Sequence, residues 1–526
     1  MRTVTVDKQK LIISFTGSDF RDCLEIFRKL DMDGKRYNPI IKKWEVDDTS
    51  KNREILKKIR FTITDLQNIK DFTNSYDLSQ VNLKKDFVLP GVRPYQIEYL
   101  KYALLENRHI NRMPMGSGKT IMSIAFQYYL YKTQNRKVFL VVCPSVVKYK
   151  WNNDLKNWFS EAKTIILEGT KPSLIEYDEN IPLVVIINYD ILFGWKDVLI
   201  AMNFDYVVFD ESHYITGLEA KRTKVSFQIA SKTKFVSYCS GTPIKKKVIK
   251  LYPYLVVLDR TFQDFMAFTV RYCCPTRSTY TGKIQYNGAE NLDELSDRIS
   301  RYLFYKPKKE ILPDLPEKQR IEIPVKIKMK EYLEAKLEFK DFLENNKGNP
   351  IATKSYLLTL INIVYKWKKD IIFDWIDAFF DENPDEKLVV FAYHLNAVHD
   401  IFDRYKEKAV YLDGSLSAKK KFEAQSKFQE DKQCKLFVGE ILAGGVGIDL
   451  FQASTMLFVE LWWVGADLEQ CEDRINRIGQ KNACSNYYLY AKDTVEEDIM
   501  RSVIKGEKIV ANLLGGSSED FFKSLT

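Results

Sequence analysis

Residues 113–120 read Met-Pro-Met-Gly-Ser-Gly-Lys-Thr. Gly116 and Gly118 let a backbone curl so that its N–H groups point at phosphate oxygens. Lys119 brings a point charge to the outer phosphates, and Thr120 sets a hydroxyl at a helix N-terminus, where it can meet Mg²⁺. Met113 stands where the strict phosphate-loop pattern has glycine. Taken alone, the segment equally suits a Gly-rich turn opening an amphipathic helix.

The next element lies about ninety residues on. Residues 206–213 read Tyr-Val-Val-Phe-Asp-Glu-Ser-His. An apolar strand ending in Asp210 and Glu211 supplies one carboxylate for Mg²⁺ and a second to orient or deprotonate an attacking water. A third element, Gln470-Cys-Glu-Asp-Arg474-Ile-Asn-Arg477-Ile-Gly-Gln480, sets two arginines three apart, expected on one helix face. Their rigid donor forks suit a phosphate whose charge spreads in the transition state.

Around these motifs, short apolar runs at 138–143, 183–187, 206–209, 388–391, 435–438 and 456–459 read as strands buried on both faces. Helix-like stretches such as 119–132, 148–158 and 394–407 separate them. Two series of β-α-β units predict two parallel-sheet α/β lobes. The expected divisions are a small α+β module at 1–75, a first lobe at 76–255 and a helical insertion with linker at 256–315. A second lobe at 316–500 carries a helical insertion near 328–382, and 501–526 form a tail.

Composition narrows the classes. With 526 residues, 45% hydrophobic and 29% charged, the chain is globular and predicts about three or four domains. No apolar run approaches the ~18 residues of a membrane-spanning helix, and the N-terminus lacks a secretory apolar region. Eight cysteines without a C-x-x-C pair, and four histidines, speak against disulfide frameworks and zinc fingers. A cytosolic or nuclear compartment is expected: cytoplasmic in a bacterial or phage context, nuclear in a eukaryote. Richness in Lys, Ile, Tyr and Asn suggests an AT-rich phage or viral genome. The net charge of +9 makes a polyanionic partner plausible without specifying one.

Eight motifs in order resemble the Swi/Snf-like ATPases of helicase superfamily two over about residues 88–495. They are Arg93-Pro-Tyr-Gln96, Gly116–Thr120, Cys143-Pro-Ser145, Asp210-Glu-Ser-His213, Ser240-Gly-Thr-Pro243, Val390-Phe-Ala392, Gly444-Gly-Val-Gly447 and Gln470–Gln480. Within the family, Phe209-Asp-Glu-Ser-His-Tyr-Ile with Lys221-Arg-Thr-Lys is similar to the HARP-type annealing helicases. So is Arg36-Tyr-Asn-Pro-Ile-Ile-Lys-Lys-Trp44-Glu-Val, which resembles their aromatic-basic DNA-recognition module.

The resemblance implies two tandem RecA-like lobes and an ATP-driven translocase acting on duplex or branched DNA, with Mg²⁺ as cofactor. It implies that Arg93, Gln96, Met115, Gly116, Ser117, Gly118, Lys119, Thr120, Gly447 and Asp449 bind ATP, with Gln96 at the adenine. Thr120 and Asp210 would hold the metal. Lys119, Asp210, Glu211, Arg474 and Arg477 would serve hydrolysis, Arg477 as the arginine finger. Lys42, Lys43, Trp44, Ser145, Lys148, Thr242 and Gly445 would meet DNA. A monomer working with replication or recombination proteins, away from membranes, is expected. Two departures stand out: Met113-Pro114 replaces the family's Asp-Glu, and the strand His109-Ile-Asn-Arg112 is unusually polar. A viral transcription ATPase, an RNA helicase and a non-catalytic nucleic-acid-binding protein are the competing readings.

Overall fold

The computed structural model describes residues 2–7, 10–15, 35–38, 43–47, 49, 51–52, 62–64, 77–241, 248–277, 282, 284–286, 288–345, 350–444, 447–463 and 465–503. They fall into two compact units. One comprises Met1–Asn82, Thr216–Leu218 and Lys247–Leu303, and the other holds the rest.

The first unit contains a five-stranded sheet of β1 (Arg2–Asp7), β2 (Lys10–Phe15), β3 (Arg36–Asn38), β4 (Lys43–Asp47) and β5 (Thr62–Thr64), in the order β3-β4-β2-β1-β5. β1 and β2 form an antiparallel hairpin, and β4 pairs with both β2 and β3. Lys43 and Trp44 lie on β4, with Trp44 in register with Ile13 and Tyr37.

In the second unit the apolar runs become two parallel sheets. The first is built from β6 (Arg108–Asn111), β7 (Val138–Cys143), β8 (Lys163–Ile166), β9 (Leu183–Asn188), β10 (Tyr206–Asp210) and β11 (Phe235–Cys239). A small hairpin, β12 (Thr276–Arg277) and β13 (Ile284–Gln285), belongs to the first unit. β14 (Leu303–Phe304) then completes the order β14-β6-β11-β10-β7-β9-β8. Every strand pair from β6 to β8 is parallel. Parallel pairing needs crossovers, supplied by helices such as Lys119–Gln134 and Lys148–Trp158.

The second sheet comprises β15 (Lys318–Val325), β16 (Leu388–Ala392), β17 (Ala409–Leu412), β18 (Leu436–Glu440), β19 (Thr455–Phe458) and β20 (Cys484–Ala491), in the order β15-β20-β19-β16-β18-β17. Its strands alternate between two apolar layers. Val389 and Phe391 enter one, while Leu388, Val390 and Ala392 enter the other. That period of two is why β16 reads as an unbroken apolar run. Residues 328–382 are mainly two helices, Lys330–Asn345 and Pro350–Glu382. The second helix sends Leu360, Ile361 and Val364 into one layer and Ile372 and Ile376 into the other. Among the described residues, no helix is long and apolar enough to cross a membrane.

The polar strand β6 is explained by burial with partners. His109 Nδ1 lies 2.9 Å from the Glu106 carbonyl, which can only accept, so Nδ1 carries the proton. Nε2 then accepts from among the Tyr99 hydroxyl at 3.0 Å and the Ser237 hydroxyl at 2.8 Å. Burial pulls the imidazole down to about 4 and keeps it neutral.

A lysine lies fully buried behind the second sheet. Lys368 Nζ donates to the Val459 and Leu489 carbonyls and to both oxygens of Glu496, at 2.7–3.1 Å. Removing one partner of such a pair strands the other charge away from water. Lys368→Ala is expected to cost about 3–5 kcal/mol in chemical unfolding. Lys368→Met combined with Glu496→Leu is expected to recover most of it.

Candidate functional site

The phosphate loop follows from local chain chemistry. β6 ends at Asn111, whose Oδ1 accepts from Met113 N at 3.2 Å and turns the chain. Gly116 and Gly118 both adopt left-handed φ, +74° and +77°, which costs glycine little. The helix Lys119–Gln134 then starts with no side-chain cap on its first N–H groups, leaving donors and a positive dipole end for an anion. Ser117 Oγ is buried without a hydrogen-bond partner. Lys119 Nζ rests on the Met113 and Pro114 carbonyls at 3.0 and 3.1 Å. Burial lowers its pKa, while Glu211 and Asp210 oppose that shift. An unpaired hydroxyl, free helix donors and an ammonium held only by neutral carbonyls fit a bound polyphosphate.

Arg93 and Gln96 brace this loop. Gln96 Oε1 accepts from Arg93 N at 2.8 Å, and Gln96 Nε2 lies 3.5 Å from the Ser117 carbonyl. Tyr95 donates to the same carbonyl at 2.9 Å. A Cβ at Gly118 would stand 2.7 Å from Gln96 Nε2, so the second glycine permits that contact as well as the turn.

The paired carboxylates end β10. Trp151, a residue that motif reading did not single out, donates its indole N–H to Asp210 Oδ2 at 2.8 Å. Asp210 Oδ1 accepts from Glu211 N at 3.0 Å. Glu211 holds φ at +48°, a strained value for a residue with a side chain. Its Oε2 lies 3.3 Å from His213 Nδ1. Burial, and then the Glu211 charge, push Asp210 up to about 6. Burial opposes ionisation of Glu211, but His213, Lys119 and Arg474 outweigh it and hold this carboxyl below its usual range.

The second sheet brings the arginines to the same place. The helix Gly465–Ile475 carries Arg474 in its last turn, but it stops before Arg477. The expectation of one shared helix face is therefore corrected, since the Arg477 N–H bonds the Ile475 carbonyl at 3.2 Å in a tighter turn. The two guanidinium groups nevertheless converge, both donating to the Ile448 carbonyl at 3.3 and 3.1 Å. Arg474 also approaches Met115 Sδ at 4.0 Å. A Cβ at Gly116 would lie 3.1 Å from Arg477 Cβ, so the arginine segment packs directly on the phosphate loop.

Thr120 is the second residue of its helix and half-buried. Asp449 pairs with Arg477 and with Lys150 at 3.2 Å. Burial resists its ionisation, but Arg477 and Lys150 bring it down to about 2. Gly447 has φ +71°, and a Cβ there would collide with Val147. Ser145 is exposed at the neighbouring turn. Lys148, expected at DNA, instead turns inward, and its buried Nζ donates to the Leu167 carbonyl at 3.2 Å. Lys42, Thr242 and Gly445 lie outside the described residues.

Sequence reading also missed a clamp on the arginine segment. Glu472, fully buried, is held by Arg320 at 2.6 and 2.9 Å, Lys318 at 2.7 Å and the Tyr488 hydroxyl at 2.5 Å. Lys308 Nζ holds Asp473 at 2.9 Å and the Asn476 carbonyl at 3.2 Å. In the sequence, Lys306-Pro-Lys308-Lys309 shows only as a short basic run.

Two parallel sheets thus bring one glycine-rich loop, a carboxylate pair and a converging arginine pair together in a two-lobed site whose groups suit a polyphosphate. The SNF2-related domain model matches residues 95–371, more than half of the chain, and the helicase conserved C-terminal domain matches 367–479. The chain belongs to the SNF2-related family. It is 29% identical over 463 residues to the SWI/SNF-related matrix-associated actin-dependent regulator of chromatin subfamily A-like protein 1 of Xenopus laevis, covering 86% of this chain and 46% of that protein. It is 26% identical over 465 residues to the DNA annealing helicase and endonuclease ZRANB3 of Mus musculus, covering 85% and 43%. The Caenorhabditis elegans homolog of the first protein is 27% identical over 508 residues, covering 93% and 72%. The chain thus spans a little under half the length of the first two relatives. A solved Sulfolobus solfataricus SWI2/SNF2 ATPase core in complex with dsDNA is 23% identical, covering 84% of this chain and 96% of that one. Its TM-score is 0.40. The three relatives are animal proteins and lend no support to a phage or viral source.

The raised Asp210 carboxyl gives a pH-dependent stability. Its ordinary value is 3.8 and its folded value about 6, so the folded chain holds the proton more tightly. This stabilisation is complete below pH ~4 and is lost as pH rises through ~6. In nucleotide-free protein, Asp210→Asn is expected to be more stable than wild type at pH 7.5, by about 1–3 kcal/mol, and to show little of that gain at pH 4. Calorimetry at the two pH values checks this.

Proposed function

We propose that this chain is an ATP-dependent DNA translocase or helicase acting on duplex or branched DNA, remodelling forks, migrating branches or annealing strands. The observation that carries this reading is the seating of the Arg474–Arg477 segment of one parallel sheet on the Gly116–Thr120 loop of the other. A site built from two lobes makes hydrolysis depend on lobe position, and that dependence converts chemistry into movement along a strand.

In this reading the loop N–H groups and Lys119 hold the ATP phosphates, and Arg93 and Gln96 stand at the base side. Thr120 and Asp210 would hold Mg²⁺, which when bound would offset charge building on the phosphates. Glu211 keeps its carboxylate ionised and orients or deprotonates the attacking water. Arg477, with Arg474 beside it, stabilises the charge spread in the transition state. Ser145, Thr242 and the loop Gly445–Gly447 track the DNA backbone, giving sequence-tolerant, salt-sensitive binding. Lys42, Lys43 and Trp44 in the N-terminal module recognise unpaired or branched DNA through phosphate contacts and base stacking. The divisions 1–75, 76–255, 256–315, 316–500 and 501–526 serve as module, first lobe, insertion and linker, second lobe and tail. A monomer suffices for such a machine, and replication or recombination proteins are its natural partners. The names of the relatives, one a DNA annealing helicase, support DNA as the polymer.

The deciding experiment is ATPase stimulation across single-stranded, duplex, forked and four-way DNA and RNA. Duplex or branched DNA is expected to stimulate most, and a larger effect of RNA would contradict the assignment. Lys119→Ala is expected to abolish hydrolysis while DNA binding, followed by fluorescence anisotropy, persists. Arg477→Ala is expected to retain ATP binding and lose turnover by about 10³-fold. Deleting residues 1–75 is expected to leave duplex-stimulated hydrolysis mostly intact and to reduce the preference for forks and junctions. Equal loss on every DNA, with a lower melting temperature, would assign the module a bracing role instead.

A further inference from the structure

Asp449 is a carboxylate shared by two cations from different lobes. Its Oδ1 pairs with Arg477, on the same lobe, and its Oδ2 lies 3.2 Å from Lys150 Nζ, on the other. All three side chains are about one-fifth exposed or less, so solvent screens their interaction weakly. Lys150 has a second partner within its own helix, Asp154 at 2.9 Å.

The charges then sum differently in the two lobe positions. With the lobes together, one Asp449 carboxylate faces both Lys150 and Arg477, and part of the Arg477 charge stays unneutralised beside Gly116. With the lobes apart, Lys150 retains Asp154, and Asp449 is left to Arg477 alone. An arginine fully committed to a carboxylate is a poor partner for a phosphate. The helix bearing Lys150 is itself registered to the chemistry: Trp151, the next residue, bonds Asp210, and Val147, just before the helix, packs against Gly447.

We propose that Lys150 is a positioning residue that shares Asp449 with Arg477 when the lobes close, so that the carboxylate neutralises the guanidinium only in part and leaves it able to meet the phosphate. The inference rests on the ATPase reading above. Burial opposes the charge on Lys150, but Asp449 and Asp154 keep it raised and cationic, and the depressed Asp449 carboxyl keeps the pair ionic.

The test is duplex-stimulated steady-state ATP hydrolysis, with kcat and KM for ATP measured separately and melting temperature recorded. Lys150→Ala is expected to lower kcat about tenfold, the effect of a single charged hydrogen bond, with KM and melting temperature close to wild type. Lys150→Arg is expected to restore kcat. Asp154→Ala removes the intrahelical pair but keeps the inter-lobe one, and it is expected to retain kcat. An unchanged kcat in Lys150→Ala, or an equal loss in Asp154→Ala, would overturn the proposal. So would a loss that Lys150→Arg does not repair. Should Lys150→Ala fail to fold, Lys150→Gln carries the same expectations. A wild-type chain that DNA does not stimulate would instead strike the functional reading itself.

Discussion

The constraint on which the site depends is the absence of a side chain at Gly116. The loop must turn through φ +74° there, and the backbone of Arg477 lies against it, 3.5 Å from where a Cβ would sit. One glycine thus satisfies two demands. It lets loop N–H groups face a phosphate, and it admits the second lobe to within van der Waals contact of that loop. Gly447 repeats the device in the opposite direction, with Val147 of the first lobe filling the space its side chain would need.

Holding two arginines at such a contact needs rigidity behind them. The acids Glu472 and Asp473 lie immediately before Arg474, and three basic residues from the segment entering the second sheet hold them. The Glu472 carboxylate is wholly buried yet surrounded by donors: a bidentate arginine, a lysine and a tyrosine hydroxyl. Burial opposes its ionisation, and Arg320 and Lys318 more than offset that, so its pKa stays lowered. The same segment is tied to the first lobe. Arg112 N donates to the Phe304 carbonyl at 2.9 Å, and Lys306 pairs with Glu98 at 2.6 Å. The connector between the sheets therefore reaches both the strand leading into the phosphate loop and the arginine segment.

Much of this was legible in the chain. Runs such as Val138–Cys143 and Leu388–Ala392 announce strands because both faces are buried, so nothing polar interrupts them. β15 lacks a strand signature because it is the sheet edge, where charged and apolar residues alternate and burial is partial, and β20 lacks one because its buried positions are largely polar and aromatic rather than aliphatic. β6 looked wrong for a buried strand until Tyr99 and Ser237, 10 and 128 residues away from His109, supplied its partners. In the site, the backbone-determined residues Gly116, Gly118 and Lys119 carry a local signature. Trp151, Lys150, Lys308, Lys318 and Arg320 do not, because each acts through a residue brought near only by tertiary folding. Lys148 shows the converse error: a lysine beside a motif reads as a phosphate ligand, but its direction is set by the helix it begins.

In the proposed motor, the nucleotide site is completed only when the second lobe meets the phosphate loop. The most direct measurement is single-molecule energy transfer between dyes at the exposed positions Glu176 and Lys432, one on each lobe, during turnover. A non-hydrolysable ATP analogue with duplex DNA is expected to gather the molecules into one short-distance population, which disperses when ADP replaces the analogue. An inter-lobe distance that stays the same in every nucleotide state while ATP is being hydrolysed would contradict it.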